Sequence, residues 1–260
     1  MNVLKRTAKS IPIKPIPKIP LHFTDSTSHF YWSSPPNFQQ QVDLYHKIST
    51  PSIELGIQPP NPKIYKNLAS YIYYDRRNQD YPPILYKMAP NAAYLQRYLN
   101  DKTPTNYSFM TTVSPVFHKV HYKTSLDKSK RELLEMDKMT DMKKKLYINC
   151  ITNCPYQGLL DLDFIVHEIL FYHTKYNFHE LCLDDTIGNM SFEDFKYIID
   201  TICFFGVPKS KIGLRLKDGP EIRSILRYAL RNRFTKFDVV CEKLYRSPAS
   251  LITNSFFEYI

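Results

Sequence analysis

In this 260-residue chain, two cysteines lie four residues apart, and cysteines close in sequence can form a redox pair or bind a metal. Cys150 and Cys154 lie in YINCITNCPYQG, residues 147–158. The spacing is wider than the C-x-x-C of redox pairs, and no second cysteine or Cys/His pair has the spacing of zinc ligands. The pattern indicates a strand near Cys150 and a turn that begins at Cys154, and inert buried cysteines fit it as well as reactive ones.

Short apolar runs alternate with longer amphipathic stretches along the chain. The runs, rich in β-branched and aromatic residues, cover 19–25, 52–57, 84–90, 106–114, 145–151, 180–185, 211–217 and 237–243. Helix-like segments such as 160–176 and 191–205 lie between them, and Ser191 with acidic residues after it is typical of a helix N-cap. Strand and helix alternating eight times predict a (β/α)8 TIM barrel. A doubly wound open sheet is the alternative, although no G-x-G-x-x-G turn follows a strand.

Binding and catalytic residues of a TIM barrel lie at the C-terminal ends of its strands. The candidates at these ends are Glu54, Asn91, Ser114, Cys150, Asp185, Arg215 and Lys217. Arg215 and Lys217 would project to the same face of one strand, because side chains alternate along a strand. Two buried cations need anionic partners, so we expect them to pair with Asp185, Glu54 or a bound carboxylate or phosphate. The alternative is a collapsed pocket in which both side chains reach solvent.

Two segments resemble the 3-hydroxy-3-methylglutaryl-CoA lyase family. YINCITNCPYQG is similar to the family's fifth strand, where Tyr-Val-Ser-Cys leads into Gly-Cys-Pro-Tyr-Glu-Gly, and ELCLDDTIGNMSFEDFKYIID (180–200) is similar to its Ile-Ser-Leu-Gly-Asp-Thr-Ile-Gly segment. Fainter similarity covers most of 19–254. The resemblance implies a TIM barrel in which Mg²⁺ or Mn²⁺ acts as a Lewis acid in cleaving the substrate to acetyl-CoA and acetoacetate. It also implies catalytic positions at Asp185 and Cys150.

The metal ligands that the resemblance implies are mostly replaced. The ligand aspartate of the first strand falls on Phe30, and the family's His-x-His falls on Arg215 and Lys217, whose charges would repel a dication. The family's late cysteine aligns with Ser247, and Asn254 is the one ligand that remains. The resemblance therefore implies a degenerate member, for which we expect no cofactor unless it is active with Mg²⁺ or Mn²⁺.

Three functions stay open at this stage. The first is a lyase-like barrel without metal-dependent cleavage, which would still bind an anionic small molecule such as an acyl-CoA or a dicarboxylate. The second is an active acyl-CoA or oxo-acid lyase with a rearranged site. The third is a basic binding or structural protein.

The net charge of +10 and a pI near 9.2 allow nucleic acid as a partner, but the charge is spread along the chain. Arg223, Arg227 and Arg231 recur every four residues, which is more typical of a solvated helix face than of a phosphate-binding stripe. With no zinc-finger or RNP signature, nucleic-acid binding is not expected, and no apolar run approaches the 18 residues of a membrane span. Few cysteines and no secretory signal predict a cytoplasmic protein, with mitochondria as the alternative because the start is basic and acid-free.

Proline density divides the chain into two parts. Residues 1–18 form a basic, proline-rich arm, and residues 19–260 form the barrel domain. Because the chain given stops at Ile260, soon after the eighth strand, we expect the last outer helix to be missing. The apolar flank left bare would then be covered by a second copy, a partner subunit or the arm.

Overall fold

Parallel strands close into a barrel in the computed structural model, which describes residues 20–25, 52–57, 84–100 and 105–239. The strands are β1 (His22–Asp25), β2 (Ser52–Glu54), β3 (Ile84–Met88), β4 (Asn106–Thr112), β5 (Lys144–Asn149), β6 (Asn153–Cys154), β7 (Gly158–Leu159), β8 (Glu180–Asp184), β9 (Ile212–Arg215) and β10 (Lys236–Val239). All but β6 and β7 form a closed barrel in the order β1, β10, β9, β8, β5, β4, β3, β2. Each predicted run overlaps one barrel strand, so the predicted TIM barrel is confirmed.

Pairing between the first and last strands excludes the open sheet. The residues of β1 pair in parallel with those of β10, in a register that places Thr24 beside Asp238. Between β5 and β8 the sequence forms a small antiparallel hairpin from β6 and β7, in which Cys154 pairs with Gly158. The turn predicted to begin at Cys154 is therefore the tip of this hairpin.

Helices follow most of the barrel strands. They are α1 (Ala92–Leu99), α2 (Pro115–Tyr122), α3 (Leu126–Lys138), α4 (Leu162–Lys175), α5 (Phe192–Phe204) and α6 (Ile222–Arg231). Helices α4 and α5 confirm the segments predicted at 160–176 and 191–205, and Ser191 is the N-cap of α5 because its hydroxyl accepts a hydrogen bond from the Asp194 N–H. None of the helices in the described ranges combines the length and apolar character needed to cross a bilayer.

Apolar side chains between the barrel and its helices form the main core. Phe109, Ile148 and Leu183 come from three neighbouring strands, and Ile165 and Phe195 come from the helices that pack on them. Because side chains alternate along a strand, the intervening residues face the barrel interior. The outer core fixes the strands, and the interior holds a small apolar cluster around Met88 and Cys182 beside the polar residues.

Helix α6 carries the arginine stripe on its exposed side. Ile222, Ile225 and Leu226 are buried on one side of the helix. Arg223, Arg227 and Arg231 are exposed on the other side, as the helical spacing predicts.

Several predictions fall on residues that the structure does not describe. The arm at 1–18, Phe30, Ser247, Asn254 and the flank after residue 239 lie outside the described ranges. The arm, the missing outer helix and any subunit that covers the flank therefore stay predictions.

Candidate functional site

Arg215 ends β9 and lies inside the C-terminal half of the barrel, only 7% exposed. Its Nη1 atom is 3.5 Å from Oδ2 of Asp184, the last residue of β8, and its guanidinium carbon is 5.5 Å from the centre of the Tyr147 ring. Burial lowers the pKa of Arg215, but Asp184, Tyr147 and Asp238 together more than offset this effect, so the pKa is raised and the group stays charged. The cation thus has the anionic partner that the sequence requires, one residue before the expected Asp185.

Lys217 lies two residues beyond Arg215 and is partly buried. Its ammonium group donates a hydrogen bond to the backbone carbonyl of Thr186, in the turn between β8 and α5. The Lys217 side chain also lies against Gly188, where an added Cβ would come within 3.0 Å of the Lys217 Cβ. Both cations are therefore at the C-terminal ends of the strands, but each already contacts β8 or the turn after it.

Asp185 begins the turn of the motif that resembles Asp-Thr-Ile-Gly. Its Oδ1 accepts a hydrogen bond from the Gly188 N–H at 3.0 Å, and Gly188 has a φ of +86°, which glycine adopts readily. Burial raises the pKa of Asp185 to about 6. A carboxyl group with this pKa can take up or release a proton near neutral pH, so the catalytic role predicted for Asp185 stays chemically reasonable and stays a prediction.

Cys150 follows β5 with a φ of +64°, held by a hydrogen bond of 2.7 Å from its own N–H to the Thr186 hydroxyl. Its side chain is fully buried, and burial raises the pKa of the thiol to about 12. At neutral pH this cysteine is a neutral thiol and a poor nucleophile. The catalytic role predicted for Cys150 stays a prediction, and a thiolate mechanism is disfavoured.

The hydroxyl of Ser114 connects helix α2 to the hairpin. It accepts a hydrogen bond from the Phe117 N–H at 3.0 Å and lies 3.1 Å from the Cys154 sulfur and 3.2 Å from Gln157 Oε1. Burial raises the pKa of Cys154, but hydrogen bonds from Ser114, the Tyr156 and Gln157 N–H groups and Cys150 together outweigh it and lower the pKa below its ordinary value. Ser114 thus caps α2 and supports the hairpin.

Asn91 and Glu54, the other two predicted ligand-binding residues, also make local contacts. Asn91 is the N-cap of α1, because its Oδ1 accepts a hydrogen bond from the Tyr94 N–H at 3.0 Å. Glu54 is fully buried, with Oε1 accepting from the Gly56 N–H at 3.0 Å and Oε2 lying 3.5 Å from the Tyr147 hydroxyl. The structure does not bring Asn91 or Glu54 into contact with Arg215, and their binding roles stay predictions.

A row of polar side chains crosses three neighbouring strands beside Arg215. Asn149 of β5 is in register with Asp184 of β8, which is in register with Arg215 of β9. Within the described ranges, Asn149 Oδ1 and Arg215 Nε are buried atoms without a hydrogen-bond partner. Burial and the nearby Asp184 raise the pKa of Tyr122, so its hydroxyl is available as a donor at neutral pH. The row offers a donor and an acceptor to a small polar ligand.

A buried ionic cluster that was not predicted from the sequence lies in the barrel interior. Lys145 Nζ lies 2.9 Å from Glu180 Oε1 and donates a hydrogen bond to Asp238, which also accepts one from the Tyr147 hydroxyl at 2.6 Å. Lys236 lies 3.1 Å from the other oxygen of Glu180. The sequence does contain a pattern that could have predicted the cluster. Polar residues occur at every second position within these strands, and this alternation places their side chains on the interior face.

Solved structures with this barrel identify the fold. The hydroxymethylglutaryl-CoA lyase of Pseudomonas aeruginosa aligns with a TM-score of 0.74 at 17% identity, over 92% of this chain and 84% of that one. The HMG-CoA lyase of Brucella melitensis gives 0.74 at 13% identity, over 92% and 89%. The fold is that of the hydroxymethylglutaryl-CoA lyases.

A third structure extends this likeness to a lyase solved with ligands. The HMG-CoA lyase of Acinetobacter baumannii, in complex with coenzyme A and 3-methylmalate, aligns with a TM-score of 0.70 at 14% identity, over 90% of this chain and 80% of that one. No protein-family model and no curated protein sequence matches the chain. The resemblance of the two motifs to the lyases is thus supported by the whole described barrel rather than by sequence identity.

A divalent cation does not fit the residues present at either of two places in this lyase-like barrel. At the end of β9, the guanidinium of Arg215 is paired with Asp184. In the interior, one atom from each of Glu180, Cys182 and Asp238 lies within 4.8 Å of the others, as in a metal cluster. Lys145 already provides the positive charge between these two carboxylates, so a second cation there would be repelled.

Proposed function

We propose that this chain is a hydroxymethylglutaryl-CoA lyase-like barrel that lacks metal-dependent carbon–carbon cleavage and binds a small anionic molecule at the C-terminal ends of its strands. The observation that carries the proposal is the buried pair of Arg215 and Asp184. The resemblance to the lyases implies a metal-binding histidine at this position, and a fixed cation lies there instead.

The electrostatic cost of adding a dication beside Arg215 supports the loss of metal chemistry. Two unit charges of the same sign 4 Å apart repel by about 4 kcal/mol at the effective dielectric of a protein surface, and a dication doubles this cost. Without the ion, the reaction loses the Lewis acid that polarises the substrate oxygens, and losses of this kind reduce rates by orders of magnitude. An intact fold is therefore compatible with an inactive site.

Anion binding is supported by the polar row of Asn149, Asp184 and Arg215. Arg215 stays charged, and its Nε is buried without a partner in the described part of the chain. A carboxylate oxygen would accept a hydrogen bond from this Nε, and a hydroxyl of the same ligand could donate to Asn149 Oδ1. A hydroxy-dicarboxylate, alone or as part of an acyl-CoA, carries both groups.

Isothermal titration with 3-methylmalate, in the presence of Mn²⁺ and again in EDTA, tests the proposal. We expect the same saturable binding in both, because Arg215 and Lys217 replace the metal. The double variant Arg215→Ala/Lys217→Ala should weaken this binding by at least about 100-fold, since charge-assisted hydrogen bonds contribute roughly 1.5–3 kcal/mol each. The milder variant Lys217→Ala should weaken it less.

The matched control is Arg223→Ala/Arg227→Ala, which removes two charges from the exposed face of α6. This control should bind like the unmodified chain. Circular dichroism must show that each variant is folded. Binding that EDTA abolishes, or unchanged affinity in the folded Arg215→Ala/Lys217→Ala variant, would contradict the proposal.

A further inference from the structure

A cavity of about 280 Å³ lies at the N-terminal ends of the barrel strands. Its lining includes His22 and Lys236, the first residues of β1 and β10, together with Lys143 and His179, which directly precede β5 and β8. Because all barrel strands are parallel, this cavity and the Arg215 row are at opposite ends of the barrel. Lys145 and its carboxylate partners lie between the two ends.

The charge around the cavity is positive. Lys143 and Lys236 line it, and Glu180 is the one carboxylate among the described residues that line it. Glu180 is already paired with Lys145 at 2.9 Å and with Lys236 at 3.1 Å. The lining therefore keeps an excess of positive charge that favours an anion.

The cavity also presents hydrogen-bond donors of several kinds. His179 Nδ1 accepts a hydrogen bond from the Lys144 N–H at 3.2 Å, so the proton of the neutral ring is on Nε2, which is left to donate. Burial and the charge of Glu180 raise the pKa of Tyr86 to about 12, which keeps its hydroxyl protonated at neutral pH. Thr24 and Ser52 add hydroxyl groups to the same wall.

The types of donor indicate which anion fits. Planar carboxylates are typically bound by the two parallel N–H groups of an arginine, and the described lining contains no arginine. Lysine point charges, an imidazole and hydroxyls suit the tetrahedral oxygens of a phosphate, which accept from several directions. A volume near the lower end of ligand cavities, roughly 300 Å³, leaves room for a phosphate with a small organic group.

We propose that the cavity at the N-terminal ends of the strands binds a phosphate group, either inorganic phosphate or a small phosphomonoester. The contacts come from Lys143, Lys236 and His179, with hydroxyl donors on the same wall. This site goes beyond the ligand site proposed at Arg215, and it shares no residue with that site.

Phosphorus NMR line broadening and isothermal titration test this site, with inorganic phosphate and glycerol 3-phosphate as the probes. Sodium chloride keeps the ionic strength constant, so that general screening does not contribute. If the cavity takes phosphomonoesters, we expect saturable binding of both probes. If it is limited to the free ion, we expect saturable binding of inorganic phosphate alone. Either result supports the site.

Variants locate the binding. Lys143→Gln should weaken phosphate binding by about fivefold, as expected for loss of one partly screened charge contact, and Lys143→Gln/His179→Gln should weaken it further. Lys119→Gln removes the same charge from an exposed position on α2, after the C-terminal end of β4, and should have no effect. No saturable binding of either probe to the unmodified chain, or equal weakening by Lys119→Gln, would overturn the proposal. Both outcomes are independent of 3-methylmalate binding at Arg215.

Discussion

Lys145 is the residue on which the barrel interior depends most directly. Its side chain is 1% exposed, and it lies between the carboxylates of Glu180 and Asp238. Burial alone lowers the pKa of a lysine, but these two carboxylates raise the pKa of Lys145 well above its ordinary value. The ammonium ion is therefore a fixed structural charge rather than a nucleophile.

Replacing Lys145 with methionine keeps the apolar stem and removes the charge. Glu180 and Asp238 would then be buried with less compensation, and breaking a buried ion pair from one side costs about 3–5 kcal/mol. We expect the free energy of unfolding, measured by urea denaturation, to fall by this amount. Lys143→Met, two residues earlier and exposed, should change it by less than about 0.5 kcal/mol. Equal stability of the two variants would show that the interior carboxylates do not need Lys145.

Gly213 leaves the space that the Glu180 carboxylate occupies beside Lys145. A Cβ at this interior position of β9 would lie 2.6 Å from Glu180 Oε1, which Lys145 holds in place. Glycine is thus explained here by the close approach of a buried carboxylate, and not by backbone conformation.

At the scale of elements, the turn between β8 and α5 connects the candidate catalytic residue to the fold. Asp185 accepts a hydrogen bond from Gly188, and Thr186 accepts one from Lys217 through its carbonyl and one from the Cys150 N–H through its hydroxyl. These contacts give the segment that resembles the lyase motif a structural role in the turn, whatever its role in chemistry.

The raised pKa of Asp185 predicts how stability depends on pH. The folded chain holds a proton on Asp185 up to a pH of about 6, whereas the unfolded carboxyl loses it near its ordinary value of 3.8. This carboxyl therefore lowers stability progressively as the pH rises from about 4 to about 6, and the full loss remains above that range. Asp185→Asn resembles the protonated form and keeps an oxygen that can accept from Gly188.

Urea denaturation at pH 4 and pH 7 measures this effect. Asp185→Asn should match the unmodified chain at pH 4 and be about 1–3 kcal/mol more stable at pH 7. Asp141→Asn, at an exposed position, should show no such difference between the two pH values. A difference for Asp185→Asn that is the same at both pH values would mean that the carboxyl is not perturbed.

Local sequence was sufficient to predict the strands and helices, but not the contacts between side chains inside the barrel. The run around β5 and the cap at Ser191 depend on neighbouring residues, so both could be predicted. The pair of Lys145 and Asp238 spans 93 residues, and its existence depends on barrel closure and strand register. For the same reason the sequence predicted an anionic partner for Arg215 but pointed to Asp185 or Glu54, whereas the structure pairs Arg215 with Asp184.

At the scale of the whole molecule, one barrel holds two separate polar regions joined by a charged interior. The C-terminal ends carry the Arg215 row, and the N-terminal ends carry the cavity beside Lys143 and Lys236. The similarity to lyases at 13–17% identity shows that the barrel tolerates extensive change in sequence. Under the proposed function, metal chemistry would be lost through changes in the residues at strand ends, with the scaffold retained.

Acetoacetate release from 3-hydroxy-3-methylglutaryl-CoA tests the central claim most directly. The full chain, shown to be folded by circular dichroism, is assayed with Mg²⁺, with Mn²⁺ and with EDTA. We predict no release above the protein-free blank in any of the three, because Arg215 and Lys217 lie where the lyases are expected to hold their metal. Metal-dependent release that EDTA abolishes would contradict the account and would show that a rearranged site performs the cleavage.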